Sequence, residues 1–322
     1  MRRIILSDMI CKDVWASQYD WFIVGVGAES RSCCIVDQLV KHSVNVKNAL
    51  LLCYPDVKPR VRKRILDFVS RLCGRNVFVM EMQSDAYDGV YKILNSKIAV
   101  RDVQNVLVDY SGMSRVWYAA MLSWFYRRCP ENPTVQLSFL YAEGKYTKDF
   151  AQKDVVIEEI RAVPGCEGEI YRRSPTSLAM GLGFRGYTSL CVCDQLEPDD
   201  IYTFVTNENP LKQYPIERQE GNQELMKRAS RHFKIPLESV VSAYRCMSEI
   251  AATERINGHG LIIVPMGPKP HVLAAVLVGL SNHEVCVMRV RHNHYLDDVK
   301  PNGRVVATRI KFIDVDIPAS GR

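Results

Sequence analysis

The chain has 322 residues, 47% hydrophobic and 24% charged, with a formal net charge of +6; this balance excludes intrinsic disorder, and the length accommodates two ordinary domains. The longest apolar stretch, Val272 to Leu280, falls far short of the roughly 20 residues a membrane-spanning helix needs, and the basic N-terminus meets Asp8, Lys12 and Asp13 too soon for a signal peptide. Eleven cysteines scattered through apolar segments, with no two pairs at zinc spacing, fit reduced thiols, so the expectation is a cytoplasmic protein without a structural metal or a membrane partner.

In chain order, Phe22-Ile23-Val24 predicts a strand that enters the turn Gly25-Val26-Gly27-Ala28-Glu29-Ser30-Arg31. Ala49 to Tyr54 is a compact apolar run, Val61 to Cys73 carries helical spacing, and Asn76 to Met80 is a further strand. Ser84 and Asp85 suit the N-cap of a helix through Leu94. Asn105 to Val108 reads as a buried strand, Arg115 to Arg128 as a helix and Thr134 to Tyr141 as a strand. Tyr146 to Ser174, with Pro164-Gly165 and Arg172-Arg173-Ser174-Pro175, has the composition of a connection holding one strand near Val155 to Ile160.

A second series follows: a strand at Leu178-Ala179-Met180, the turn Gly181-Leu182-Gly183-Phe184-Arg185-Gly186, and a strand from Ile201 to Val205. Helices are predicted near Gln223 to Phe233 and from Pro236 to Arg255. A buried strand at Leu261 to Val264, a helix from His271 to Leu280 and a strand from Val285 to Val290 complete the series. Asn302-Gly303, beside a β-rich run to Phe312, signals an antiparallel hairpin at a sheet edge.

The two series repeat their signals in order. From Asp37 to the turn at Asp109 is 72 positions, and from Asp194 to the turn at Pro265 is 71. Repetition at fixed distance suggests duplicated units. Alternating strands and helices predict an α/β protein of two Rossmann-like units with mostly parallel sheets, residues 1–170 and 171–322, the second carrying the C-terminal hairpin.

Open α/β sheets bind ligands beyond the carboxyl ends of their strands, where helix N-termini present free N–H groups. Four turns qualify. In the first, Gly27 is a candidate ligand contact, while Glu29 and Arg31 form either a general base with a phosphate clamp or a local ion pair. In the second, Asp109, Ser111, Gly112, Ser114 and Arg115 suit hydrogen bonding to ribose or phosphate, or capping of their own helix. The third, Gly181, Gly183 and Gly186, is a literal G-x-G-x-x-G with Glu208 22 residues past its last glycine; it outlines a dinucleotide fingerprint or is a tight scaffold turn. In the fourth, Gly267 and Lys269 lie among three prolines, and a lysine at the positive end of a helix favours a bound anion.

His292-x-His294 places two imidazoles on one strand face, without carboxylates to complete a metal set. Lys58 to Arg75 holds seven Lys or Arg against Asp67 alone, which equals the net charge of the whole chain. Lys58, Arg60, Arg62, Lys63 and Arg64 are therefore candidates for phosphates of nucleic acid, or a solvated face.

The strand, the small Gly-containing turn, the basic residue and the helix at Gly112 to Arg115 and at Gly267 to Pro270 resemble those of CARF-type sensor domains and of the SAVED domain, which is similar to two fused CARF units. Ser111-Gly112-Met113-Ser114 and Gly267-Pro268-Lys269 approximate the Thr-Gly-Gly-Thr-Lys type of turn associated with such sensors. The resemblance implies recognition of a cyclic oligonucleotide or similar nucleotide signal, coupled to an effector. The expectation is a nucleotide or other phosphorylated ligand bound between two lobes by a sensor or accessory module, with a homo-oligomer or effector as further partner. The alternative is a nucleotide-processing hydrolase or transferase using Glu29 or Asp109; no cofactor is specified.

Overall fold

The computed structural model describes residues 2–147, 156–169, 175–208, 212, 214–293 and 299–314. The chain divides into two compact units, Met1–Glu143 with Pro301–Arg322, and Gly144–Lys300, where the sequence reading placed one division near residue 170.

The first unit is built on a seven-stranded sheet. Its elements are β1 (Arg2–Asp8), α1 (Cys11–Trp15), β2 (Gln18–Val26), α2 (Cys34–Lys41), β3 (Asn45–Cys53), α3 (Pro59–Cys73), β4 (Val77–Glu81), α4 (Tyr87–Lys97), β5 (Asn105–Asp109), α5 (Arg115–Arg128) and β6 (Gln136–Lys145), joined by the late strand β13 (Lys300–Asp314). Strand order is β1-β13-β6-β5-β2-β3-β4. β2 pairs in parallel with both β3 and β5, β3 with β4, and β5 with β6. The chain thus winds outward one way through β3 and β4, then returns to lay β5 on the other flank of β2. That reversal defines a switch point between β2 and β5. α2 packs beside α3, and α4 beside α5, as a doubly wound sheet requires.

The second unit repeats the arrangement: β7 (Ile157–Ala162), β8 (Thr176–Gly181), α6 (Gly186–Leu196), β9 (Asp200–Thr206), α7 (Glu220–Arg228), β10 (Arg231–Ile235), α8 (Val240–Asn257), β11 (Gly260–Pro265), α9 (Lys269–Ser281) and β12 (Val285–His292). Its order, β10-β9-β8-β11-β12-β7, puts the corresponding switch point between β8 and β11. Among the described strands of this sheet only β7 is antiparallel, against β12.

Burial explains why these segments fold as they do. β2, β3, β5 and β8 are near-continuous apolar runs, as strands covered on both faces must be. In α5 every residue from Val116 to Phe125 is buried, and in α9 every residue from Pro270 to Leu280; neither has a polar face. α3 is the opposite case, burying only Ile65 and Val69 and turning its charges to solvent.

Two predicted elements differ. The helix expected from Gln223 to Phe233 ends at Arg228, and Arg231–Ile235 is the edge strand β10. The helix expected from Pro236 starts at Val240, because the Ser239 side chain accepts the Ser242 N–H at 3.0 Å and caps it. The C-terminal antiparallel pair is present: β13 runs against β1 from Thr308↔Asp8 to Asp314↔Arg2. Arg172 to Ser174, Val155 and His294 lie outside the described residues.

Candidate functional site

In the first unit the switch point brings two of the four sequence-predicted turns side by side. A Cβ on Gly27 would lie 3.1 Å from the Gly112 carbonyl oxygen, and one on Gly112 would lie 2.6 Å from Ser32 Oγ. The turns after β2 and β5 are therefore packed backbone to backbone, and glycine is needed there for approach.

Each polar side chain around this seam has a definite place. Asp109 is fully buried at the end of β5, where its Oδ1 accepts the Ser111 N–H at 2.9 Å. Ser111 Oγ in turn accepts the Ala142 N–H at 2.7 Å, tying the turn to β6. Ser114 Oγ accepts the Trp117 N–H at 3.1 Å and so caps α5. Arg31 is 2% exposed. Its Nε donates to the Glu29 carboxylate, and its Nη1 donates to the Tyr141 hydroxyl at 2.8 Å. Arg115, the first residue of α5, is half-buried and makes no ion pair among the described residues.

Three residues at this end of the sheet escaped the sequence reading. Tyr141 closes the Arg31 contact from β6, with its ring 5.3 Å from the guanidinium carbon. Ser32 is fully buried beside Gly112, and its hydroxyl has no hydrogen-bond partner among the described residues. Tyr118 is fully buried one turn into α5, and its hydroxyl likewise has none. Burial pushes its phenol well above the usual range, with Arg115 drawing it partly back. The signal for all three was position, at strand ends and first helical turns, rather than any motif. Farther along the same edge Tyr54 stacks on Trp117 at 4.2 Å between ring centroids, and Trp117 Nε1 donates to the Gln83 carbonyl at 2.8 Å.

In the second unit the glycines of the G-x-G-x-x-G each meet protein. A Cβ on Gly181 would lie 2.8 Å from the Phe204 ring, one on Gly183 2.9 Å from the Met266 carbonyl oxygen, and one on Gly186 2.8 Å from the Asn222 nitrogen. These approaches account for the glycines by packing. At Gly267 a Cβ would meet nothing nearer than 3.4 Å, so packing there leaves the choice of residue open. Lys269 is the first residue of α9 and half-buried. Two residues on, His271 is 1% exposed with Nε2 3.3 Å from the Pro236 carbonyl, and burial holds its imidazole down to about 4. Arg185 precedes α6 half-buried, its guanidinium pKa lowered by desolvation, and Glu208 is exposed beyond β9.

The amino end of the second sheet holds a different set. Burial pushes the Glu254 carboxyl up, but hydrogen bonds from Ser177, Tyr202 and His259 more than offset it and leave the pKa below the ordinary value. This carboxylate ties the end of α8 to the strands.

At the start of α3, Lys58, Arg60 and Lys63 are exposed and make no ion pair among the described residues, whereas Arg62 pairs with Glu81 at 3.1 Å and Arg64 with Asp37 at 3.3 Å. Among the described residues no helix is long and apolar enough to cross a membrane.

No protein-family model matches the chain, and no curated protein sequence does. Among solved structures it is similar to AtPrR2 in apo form (11% identity, TM-score 0.25, 74% of this chain and 86% of that one) and to AtPrR2 with NADP+ and (+)pinoresinol (10%, 0.25, 71% and 83%). It is also similar in fold to a type III CRISPR defence DNA nuclease activated by cyclic oligoadenylate, at 9% identity and TM-score 0.51, over 80% of this chain. The chain spans 64% of that nuclease's length.

Proposed function

We propose that the chain binds a nucleotide or other phosphorylated ligand at the strand ends of its Rossmann-like units and acts as a cytoplasmic sensor or accessory module. One observation carries the reading. Arg115 and Lys269 hold the same place in two sheets that share the order of five strands, β4-β3-β2-β5-β6 and β10-β9-β8-β11-β12, each the first residue of the helix that follows the strand laid back across the switch point. Arg115 makes no ion pair among the described residues, and a cation in that place at a helix N-terminus favours an anion lying between it and the backbone N–H groups of the first turn. Gly27, Arg31, Ser111, Gly112, Ser114 and Arg115 would serve the ligand from the first lobe, and Gly183, Gly267 and Lys269 from the second. Descent of both lobes from one duplicated unit would account for the matched positions.

A solved protein of similar fold is activated by cyclic oligoadenylate, which makes that ligand class the first to try and an effector the natural partner. Binding is favoured over turnover at the first turn because Glu29, one of the two candidate bases, is committed to Arg31.

The test is a thermal-shift panel of cyclic oligoadenylates, cyclic dinucleotides and NAD on the whole chain. Arg115→Ala and Lys269→Ala should each weaken the active ligand about tenfold or more, the worth of a charge-assisted hydrogen bond. Absence of any shift across the panel overturns the reading. Lys58, Arg60 and Lys63, at the start of α3 and without an ion pair among the described residues, support a second face, for nucleic acid.

A further inference from the structure

We infer that the Tyr118 hydroxyl and the Arg115 guanidinium together form a phosphoryl-oxygen subsite at the N-terminus of α5, with Tyr118 as the donor that selects the oxygen. The inference rests on the ligand-binding reading above and adds to it a residue and a selectivity.

A fully buried phenol ordinarily finds a partner, because its O–H is a strong polar group removed from water. Tyr118 is fully buried without one among the described residues. Its ring is satisfied, meeting Tyr110 edge-on at 5.4 Å between centroids, so phenylalanine would make the same ring contact without the unmet hydroxyl. Packing explains the ring and leaves the oxygen unexplained.

Direction comes from helix geometry. Side chains on an α-helix lean toward its N-terminus and cover the preceding turn. From the fourth position of α5, Tyr118 therefore leans over Ser114 and Arg115, at the carboxyl edge of the sheet where ligands of such folds bind. Arg115 and Tyr141 are the groups that act on its phenol electrostatically. Tyr141 already accepts from Arg31, whereas Arg115 has no ion pair among the described residues. One helix end thus presents a guanidinium, a buried neutral O–H and the first-turn N–H groups that remain after Ser114 takes that of Trp117.

The chemistry of that set is one-sided. A phenol held protonated by burial donates, the guanidinium only donates, and so do the backbone N–H groups. A group that is acceptor-only and anionic satisfies all of them; a ribose hydroxyl or an exocyclic amine does not. The subsite should therefore respond to phosphoryl oxygens and be indifferent to the nucleoside.

The experiment compares the whole wild-type chain with Tyr118→Phe, Arg115→Gln and the double variant, by calorimetric titration with a cyclic oligoadenylate and with adenosine, and by thermal melting without ligand. Tyr118→Phe should melt at the wild-type temperature or above it, bind the cyclic oligoadenylate about tenfold more weakly and leave any adenosine binding unchanged. Losses in Tyr118→Phe and Arg115→Gln should fall short of additive in the double variant, since both act on one oxygen. Equal binding by wild type and Tyr118→Phe overturns the subsite and spares the ligand-binding reading. A lowered melting temperature in Tyr118→Phe overturns it too, by revealing a structural partner. If the wild type binds no phosphorylated nucleotide, the broader reading falls and the subsite with it.

Discussion

Arg31 donates to the hydroxyl of Tyr141 at 2.8 Å, so that a side chain from the turn after β2 is anchored on β6, two strands away across β5. The same guanidinium is held by Glu29, which leaves a nearly buried cation compensated from two sides. Tyr141→Phe should lower stability by about 1.5–3 kcal/mol, the range for a hydrogen bond to a charged group, in urea unfolding. A loss under about 0.5 kcal/mol would show that the contact is not maintained in solution.

Gly112→Ala should be costlier than its single methyl suggests. The new Cβ would press on Ser32 Oγ and on the Gly25 carbonyl oxygen. A loss of about 1–3 kcal/mol is expected, as for overpacking in a rigid core. Ser32→Ala combined with it should recover little, because the Gly25 carbonyl is backbone and cannot yield; full recovery would place the strain at Ser32 alone.

His271 makes stability depend on pH in the acid range. The unfolded imidazole takes up a proton near 6.5, while burial keeps the folded one neutral down to about 4. Between those values the unfolded state binds more protons, so the contribution is complete above 6.5 and falls by about 1.4 kcal/mol per pH unit toward 4. Unfolding free energies measured from pH 7 to 4.5 should show this slope, and His271→Leu should flatten it by about one proton.

The exposed cations of α3 should give nucleic-acid retention that falls steeply with salt. Each phosphate contact contributes nearly one to the slope of log affinity against log salt, so Arg60→Glu with Lys63→Glu should reduce that slope by about two. Retention that is weak and insensitive to salt in the wild type would leave α3 as a solvated face.

The sequence made the strand ends and turns legible, and for a physical reason. A parallel strand buried on both faces must be a short apolar run, and the chain must then turn through small or polar residues before the next helix, as at Val24 to Gly27 and Val108 to Gly112. β10 was not legible, because Arg231 to Ile235 is a half-exposed edge strand that continues a helical pattern of charges without a break. The glycines at 181, 183 and 186 were ambiguous for a different reason: the local pattern is the same whether a cofactor or Phe204, Met266 and Asn222 come close. Tyr118 read simply as one aromatic in an apolar helix. An unmet hydroxyl is a property of the assembled surroundings, and no spacing in the chain encodes it.

The placement of β13 bears on how the chain is made. It lies between β1 and β6 inside the first sheet, and Met9 N–H bonds the Ala307 carbonyl at 2.8 Å. The second unit, Gly144–Lys300, is therefore an uninterrupted insertion that can reach its final pairing while the first still lacks an interior strand. The unit begun first can be completed only after the second has been synthesised. Cutting the chain after Glu143 would leave β1 and β6 without the strand that lies between them, whereas residues 144–300 contain every strand of the second sheet.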